Sequence, residues 1–202
     1  PVHGRPVHLL HSAHAWKLSK QGAVGSNCKF AGCVSVSPLT KVDKPSAPAL
    51  AFLWAMAFLF PERSIPDFLG SSLPNEATWK SEELIAWHVT HDVWGTPGAL
   101  GWGRSMRWES ARALLMLGDQ VAASAPAEFP LLVIHDPKDQ ITSAERSREY
   151  FDRGTSPQNK YVTLDEGKHD LFANEGQQIS EIILKWIEPG IKIKPLRKPL
   201  SR

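Results

Sequence analysis

Phe129-Pro130-Leu131-Leu132-Val133-Ile134-His135-Asp136-Pro137-Lys138-Asp139 is the stretch on which the fold turns. Leu131–His135 is a short, continuous apolar run behind Phe-Pro, the pattern of a strand buried on both faces. A proline-containing turn follows at Asp136–Asp139. Thr142, with Glu145 three positions later, reads as a capping box and predicts a helix from about Ser143 to Phe151. Tyr161–Leu164 reads as a second strand, closed by Asp165-Glu166-Gly167. Beyond it Ile179, Ile182, Ile183, Trp186 and Ile187 fall on one face of an amphipathic helix. Strand, helix, strand, helix at this spacing means an α/β fold, a parallel sheet with helices on its faces.

Outward from this unit the composition changes. Residues 1–42 contain no Asp or Glu and hold four of the eight histidines, with apolar segments at Val7–Leu10 and Phe30–Val36. Residues 43–125 hold six of the eight tryptophans. Within them Ala49–Phe60 is apolar all round, and the regions Trp79–Trp94 and Met106–Leu117 look helical. No strand pattern interrupts Leu39–Pro130, so a helical insertion over the sheet, a lid or cap, is expected there. The whole chain, 202 residues, suffices for one sizeable domain. A net charge of +2 gives no electrostatic case for nucleic acid. The longest apolar run, twelve residues, is too short to span a bilayer. A cytoplasmic or peripheral-membrane setting is expected. The chain begins at Pro1 rather than Met, which leaves a preceding targeting segment open.

Catalytic groups in open α/β sheets lie beyond the carboxyl ends of strands, and Asp139 and His169 both fall in loops directly after predicted strands. A carboxylate in one loop can accept from one imidazole nitrogen in the next and leave the other nitrogen as a base. The competing reading is two unrelated loop residues. A nucleophile would come earlier, and Ser12 in Leu10-His11-Ser12-Ala13-His14-Ala15 follows an apolar segment and precedes a plausible helix start. It has no glycine on either side, so an ordinary serine is the competing reading. His8, His11 and His14 recur every third residue, but they cross a strand-to-helix transition and no acidic partner precedes Asp43. Incidental histidines are preferred there over a metal site. Cys28 and Cys33 read as small apolar residues. The tryptophan-rich middle is either plain core or a surface for an acyl chain or a membrane.

The segment Leu131–Thr142 resembles the acid-bearing segment of the monoacylglycerol lipase and serine aminopeptidase-like (lysophospholipase-type) branch of the α/β-hydrolases. That segment reads apolar strand, His-Gly-x-x-Asp, an apolar residue and Thr; here Asp136 stands where glycine is usual. Gly167-Lys168-His169-Asp170-Leu171 and Ile183-Leu184-Lys185-Trp186-Ile187 look like the family's histidine loop and last helix. Phe30–Leu39 is similar to the strand that follows the helix after the nucleophile. Counting back from Pro38 by the family's spacing lands on Ser12, whose surroundings match the family's Gly-His-Ser-x-Gly-Gly only at His11 and Ser12.

The resemblance implies a partial α/β-hydrolase fold divided as 1–40 nucleophile-side core, 41–125 helical cap, 126–188 C-terminal core and 189–202 basic tail. It implies hydrolysis of carboxylic esters, lipids such as monoacylglycerols or lysophospholipids above all, without a cofactor. Ser12 would be the nucleophile, His169 the base and Asp139 its orienter, with the Ala13 amide as one oxyanion donor. The strands before the nucleophile would lie outside these residues. The rival expectation is a non-catalytic relative with a degenerate nucleophile turn, serving as a binding module or defective product.

Overall fold

A strand buried from end to end needs cover on both faces, and Leu131–His135 has it. In the computed structural model, residues 30–66, 68–69, 75–91 and 106–187 are described, together with Ala15, Lys17, Leu18 and Lys20, which are helical. In chain order the elements are β1 (Cys33–Val36), α1 (Ala47–Leu59), a 3₁₀ turn (Asn75–Ala77), α2 (Glu82–His91), α3 (Trp108–Ala123), β2 (Leu131–His135), α4 (Ala144–Asp152), β3 (Lys160–Thr163) and α5 (Leu171–Ile187). The described strands form one parallel sheet in the order β1-β2-β3, with Cys33 opposite Leu131 and Leu132 opposite Lys160.

Alternation along the central strand sorts its side chains into two layers. Leu131 and Val133 pack with Phe129, Val121 of α3 and Tyr150 of α4. Leu132 and Ile134 pack with Leu164, and with Leu171 and Ile179 of α5. Each fully buried aliphatic side chain of this kind contributes roughly 1.5–3 kcal/mol, so β2 is the element on which both layers depend. Trp186 fixes the far end of α5 by donating from Nε1 to the Gln158 carbonyl at 3.0 Å. The same indole crowds the entry to β1. At Gly32 (φ 153°) a Cβ would lie 2.6 Å from Trp186 and 2.7 Å from the Pro130 carbonyl, so only glycine fits.

Expected and observed elements agree closely in the C-terminal unit, with one correction. The helix after β2 is capped by Ser143, whose Oγ accepts from the Arg146 amide at 3.2 Å. Thr142 is not the cap; its hydroxyl is used inward, at Asp139 and the Ser37 carbonyl. Between β1 and β2 the described residues contain helices and no sheet strand. There α1 lays Leu53 and Ala57 on Trp108 of α3, forming a small separate core. The apolar character all round α1 therefore exceeds what this packing uses. Phe58 is 86% exposed, and Leu59 and Trp54 are exposed as well.

Candidate active site

Because β2 and β3 run parallel, the loops leaving their carboxyl ends emerge on the same edge of the sheet. The first carries Asp139 and the second carries His169. The structure brings them together: His169 Nδ1 lies 2.8 Å from Asp139 Oδ2. An ionised carboxylate only accepts, so Nδ1 is the donor and the lone pair of the neutral ring sits on Nε2. Ser12 and Ala13 lie outside the described residues, as do Val7–Leu10, His8, His11, His14, Cys28 and the basic tail.

Asp139 is held more firmly than a surface turn requires. Its Oδ1 accepts from the amides of Ile141 (2.7 Å) and Thr142 (3.1 Å). Its Oδ2 faces His169, the Thr142 hydroxyl at 2.9 Å and His135 Nε2 at 3.2 Å. The side chain has no solvent exposure. Burial by itself would raise its pKa, but the hydrogen bonds from His135, His169 and the Ile141 amide outweigh burial. The carboxyl is held far below the usual carboxylate range and stays ionised.

His135, Thr142 and Ser37 complete the setting, and none was singled out from the sequence as a site residue. His135 Nε2 faces two acceptors, Asp139 and the Thr142 carbonyl at 3.2 Å, so it carries a proton. In the neutral ring Nδ1 then accepts from the Ser147 hydroxyl at 2.7 Å, and Ser147 is in turn 2.8 Å from the Tyr161 hydroxyl. Ser37, in left-handed backbone at the end of β1 (φ 45°), donates from Oγ to the His169 carbonyl at 2.9 Å. Its own carbonyl receives the Thr142 hydroxyl at 3.2 Å. All three strand ends therefore meet around one carboxylate. The available signal was a polar residue closing an otherwise apolar strand, as His135 closes Leu131–Ile134.

The histidine loop is also fastened to the segment between β1 and β2. The His169 amide donates to the Ala77 carbonyl (3.3 Å) and the Asp170 amide to that of Thr78 (3.1 Å). Asn174 returns the contact, donating from Nδ2 to the Thr78 carbonyl and accepting from the Lys80 amide at Oδ1. Lys80 pairs with Glu175, the residue at which α5 is kinked. Trp79 stacks on His88 of α2 at 4.2 Å between ring centroids, which extends the fastening into α2.

Residues 18–177 match the family described as serine aminopeptidase, S33. The chain belongs to that family. The match takes in β1, the whole helical segment, Asp139 and His169 of this hydrolase-family chain. It is 26% identical over 177 residues to an uncharacterized abhydrolase domain-containing protein of Dictyostelium discoideum, covering 85% of the chain and 17% of that relative. Its fold is that of the α/β-hydrolases. It superposes on the monoacylglycerol lipase of Paleococcus ferrophilus with a TM-score of 0.62 at 16% identity, over 87% of this chain and 64% of that one. On a soluble variant of monoglyceride lipase from Saccharomyces cerevisiae, in complex with a substrate analog, the TM-score is 0.64 at 11% identity, over 90% and 60%. The chain thus spans less than two thirds of the length of these relatives.

Proposed function

We propose that this chain carries the acid and base of a serine hydrolase that cleaves carboxylic esters, with Ser12 as nucleophile. The observation that carries the reading is the 2.8 Å bond from His169 to a buried, multiply held Asp139 at the carboxyl edge of a parallel sheet. In the reaction, Nε2 of His169 takes the Ser12 proton as Oγ bonds to the acyl carbon. The Ala13 amide is one donor to the resulting oxyanion. Collapse expels the alcohol, which leaves with the proton held by His169. Water then attacks the acyl-serine, again giving its proton to His169, and the acid is released as Ser12 regains its hydrogen. His135 and Thr142 keep the Asp139 carboxylate aimed during these transfers.

Monoacylglycerol-like or lysophospholipid-like lipids are the substrate class that best fits. Two structures sharing this fold are monoacylglycerol lipases by name, and several large apolar side chains among the described residues of 41–125, read as the cap, are exposed. No helix among the described residues is long and apolar enough to cross a membrane, so the contact proposed is a peripheral one. Phe58 and Phe68, 86% and 85% exposed, would meet the lipid. Burying a phenylalanine is worth about 1.5–3 kcal/mol, so Phe58→Asp with Phe68→Asp should lower binding to phosphatidylcholine vesicles by at least about tenfold. Equal cosedimentation of variant and parent would remove the membrane contact.

Leu10 and His14 stand where the family carries glycine, and this favours a second reading in which the turn around Ser12 is impaired. The chain should accordingly show little turnover of p-nitrophenyl esters and weak labelling by a fluorophosphonate. Comparison with Ser12→Ala decides the matter. Strong labelling that vanishes in Ser12→Ala would refute the impaired reading and establish the nucleophile.

A further inference from the structure

The position that departs from the family's pattern, Asp136, ties the acid loop to the histidine loop. It is 1% exposed. Its Oδ1 accepts from the Lys138 amide at 2.8 Å, within its own turn. Its Oδ2 accepts from the Lys168 amide at 2.7 Å, across 32 positions of sequence. A carboxylate taken out of water must be hydrogen-bonded to be tolerated, and here each oxygen takes one backbone N–H from a different loop. The glycine usual at this position could do neither.

The peptide that Asp136 grips is Gly167–Lys168, one before the peptide that joins Lys168 to His169. Lys168 has φ 60° and Glu166 φ 59°, so two non-glycine residues of this loop sit in left-handed backbone. Such residues persist where their surroundings dictate the conformation. Two other ties hold the loop at carbonyls, the first of them at the opposite end of this same peptide. Asn174 donates to the Gly167 carbonyl at 2.8 Å, and Ser37 donates to that of His169. The Lys168 amide is held by Asp136. With the Gly167 carbonyl held by Asn174, loss of the Asp136 tie would free the amide end of this peptide, alter φ of Lys168 and so shift His169. A misplacement of about 1 Å at a catalytic group can cost about 10²-fold in rate.

We infer that Asp136 is a positioning residue: its carboxylate locks the Lys168 amide so that His169 meets Asp139 in one orientation. This rests on the reading of His169 as the base of a hydrolase. Charge assistance makes the tie stronger than a neutral acceptor would.

The test uses the ¹⁵N-labelled full chain with Asp136→Asn and Asp136→Gly. Asparagine keeps the shape but can accept only one of the two amides and turns an NH₂ toward the other. Glycine removes both acceptors and, as the family's usual residue, is compatible with the fold should Asp136→Asn fail to fold. In Asp136→Gly, amide exchange at Lys168 should quicken by about 10–100-fold, the equivalent of one lost charge-assisted hydrogen bond. The Nδ1–H resonance of His169, sheltered by its bond to Asp139, should broaden or vanish, while amides of β2 keep their protection. Unchanged exchange at Lys168 would overturn the inference. So would faster exchange with a sharp, unmoved Nδ1–H signal, since Asp136 would then be a backbone tie with no hold on the imidazole. Neither readout needs turnover. Failure of the hydrolase reading would show separately, as absent Ser12 labelling even when glycines replace Leu10 and His14.

Discussion

Exchanging Leu10 and His14 together for glycine should raise fluorophosphonate labelling of Ser12 by about 10²–10³-fold, the value of one oxyanion donor. A nucleophile raised on a tight strand-to-helix turn exposes its Oγ only where the flanking residues leave the backbone room. Glycine meets that requirement because it lacks Cβ. On the proposed reading, a leucine and a histidine there would crowd the turn and carry the Ala13 amide and the Ser12 hydroxyl off target together. The proposed acid and base need no repair, since Asp139 and His169 are already bonded at 2.8 Å. Labelling that stays weak in the double variant would mean that the deficit lies elsewhere in the oxyanion site, and would leave the chain as a non-catalytic relative.

In that restored background, Asp139→Asn should cut labelling by about 10⁴-fold, the effect of losing the correct histidine tautomer with geometry kept. The carboxamide can hold the Ile141 and Thr142 amides with its oxygen, and its NH₂ then faces His169 Nδ1 and His135 Nε2. His169 can meet an NH₂ only by accepting at Nδ1, which moves its proton to Nε2 and removes the base. Stability should fall as well, by about 2–4 kcal/mol at neutral pH, because buried donors lose an ionised partner. The pH dependence gives an independent check. The folded carboxyl of Asp139 titrates far below its unfolded value near 4. Its contribution is therefore complete above about pH 5 and is lost as pH falls below about 4. Through that acid window the parent should lose up to about 1.4 kcal/mol per pH unit from this one group, and Asp139→Asn should not. Denaturant midpoints at several pH values measure this. Parallel curves for parent and variant would show that Asp139 is not the tightly held carboxylate described.

The C-terminal unit was legible because its signals are local and redundant. Leu131–His135 is buried on both faces, and a continuous apolar run between turns states as much. Ile179, Ile182, Ile183 and Trp186 repeat at helical spacing because one face of α5 covers β2 and β3. Asp139 and His169 stood out by position after strands. The helical segment was harder. An all-apolar helix such as α1 does not say which side will be buried, and only Leu53 and Ala57 are. Thr142 and Ser143 offer nearly equal caps, and the choice between them depends on Asp139, which draws the Thr142 hydroxyl inward. His135 and Ser37 are recognisable only once three strand ends converge, since each alone is an unremarkable residue at the end of a strand. Asp136 was visible as a departure from pattern, but its partner is 32 residues away.

The fastening of Ala77–Lys80 to His169–Glu175 bears on how such chains diverge. A segment that sits over a site is usually regarded as interchangeable, free to be lengthened or replaced as new substrates arise. Here the backbone of the loop that carries His169 is itself completed by carbonyls from that segment, and Asn174 is shared between them. A graft that imported a foreign segment without residues 170–175 would leave the His169 and Asp170 amides without their acceptors and unsettle His169. The unit of exchange is therefore the pair, and innovation in what is recognised stays coupled to the upkeep of what reacts.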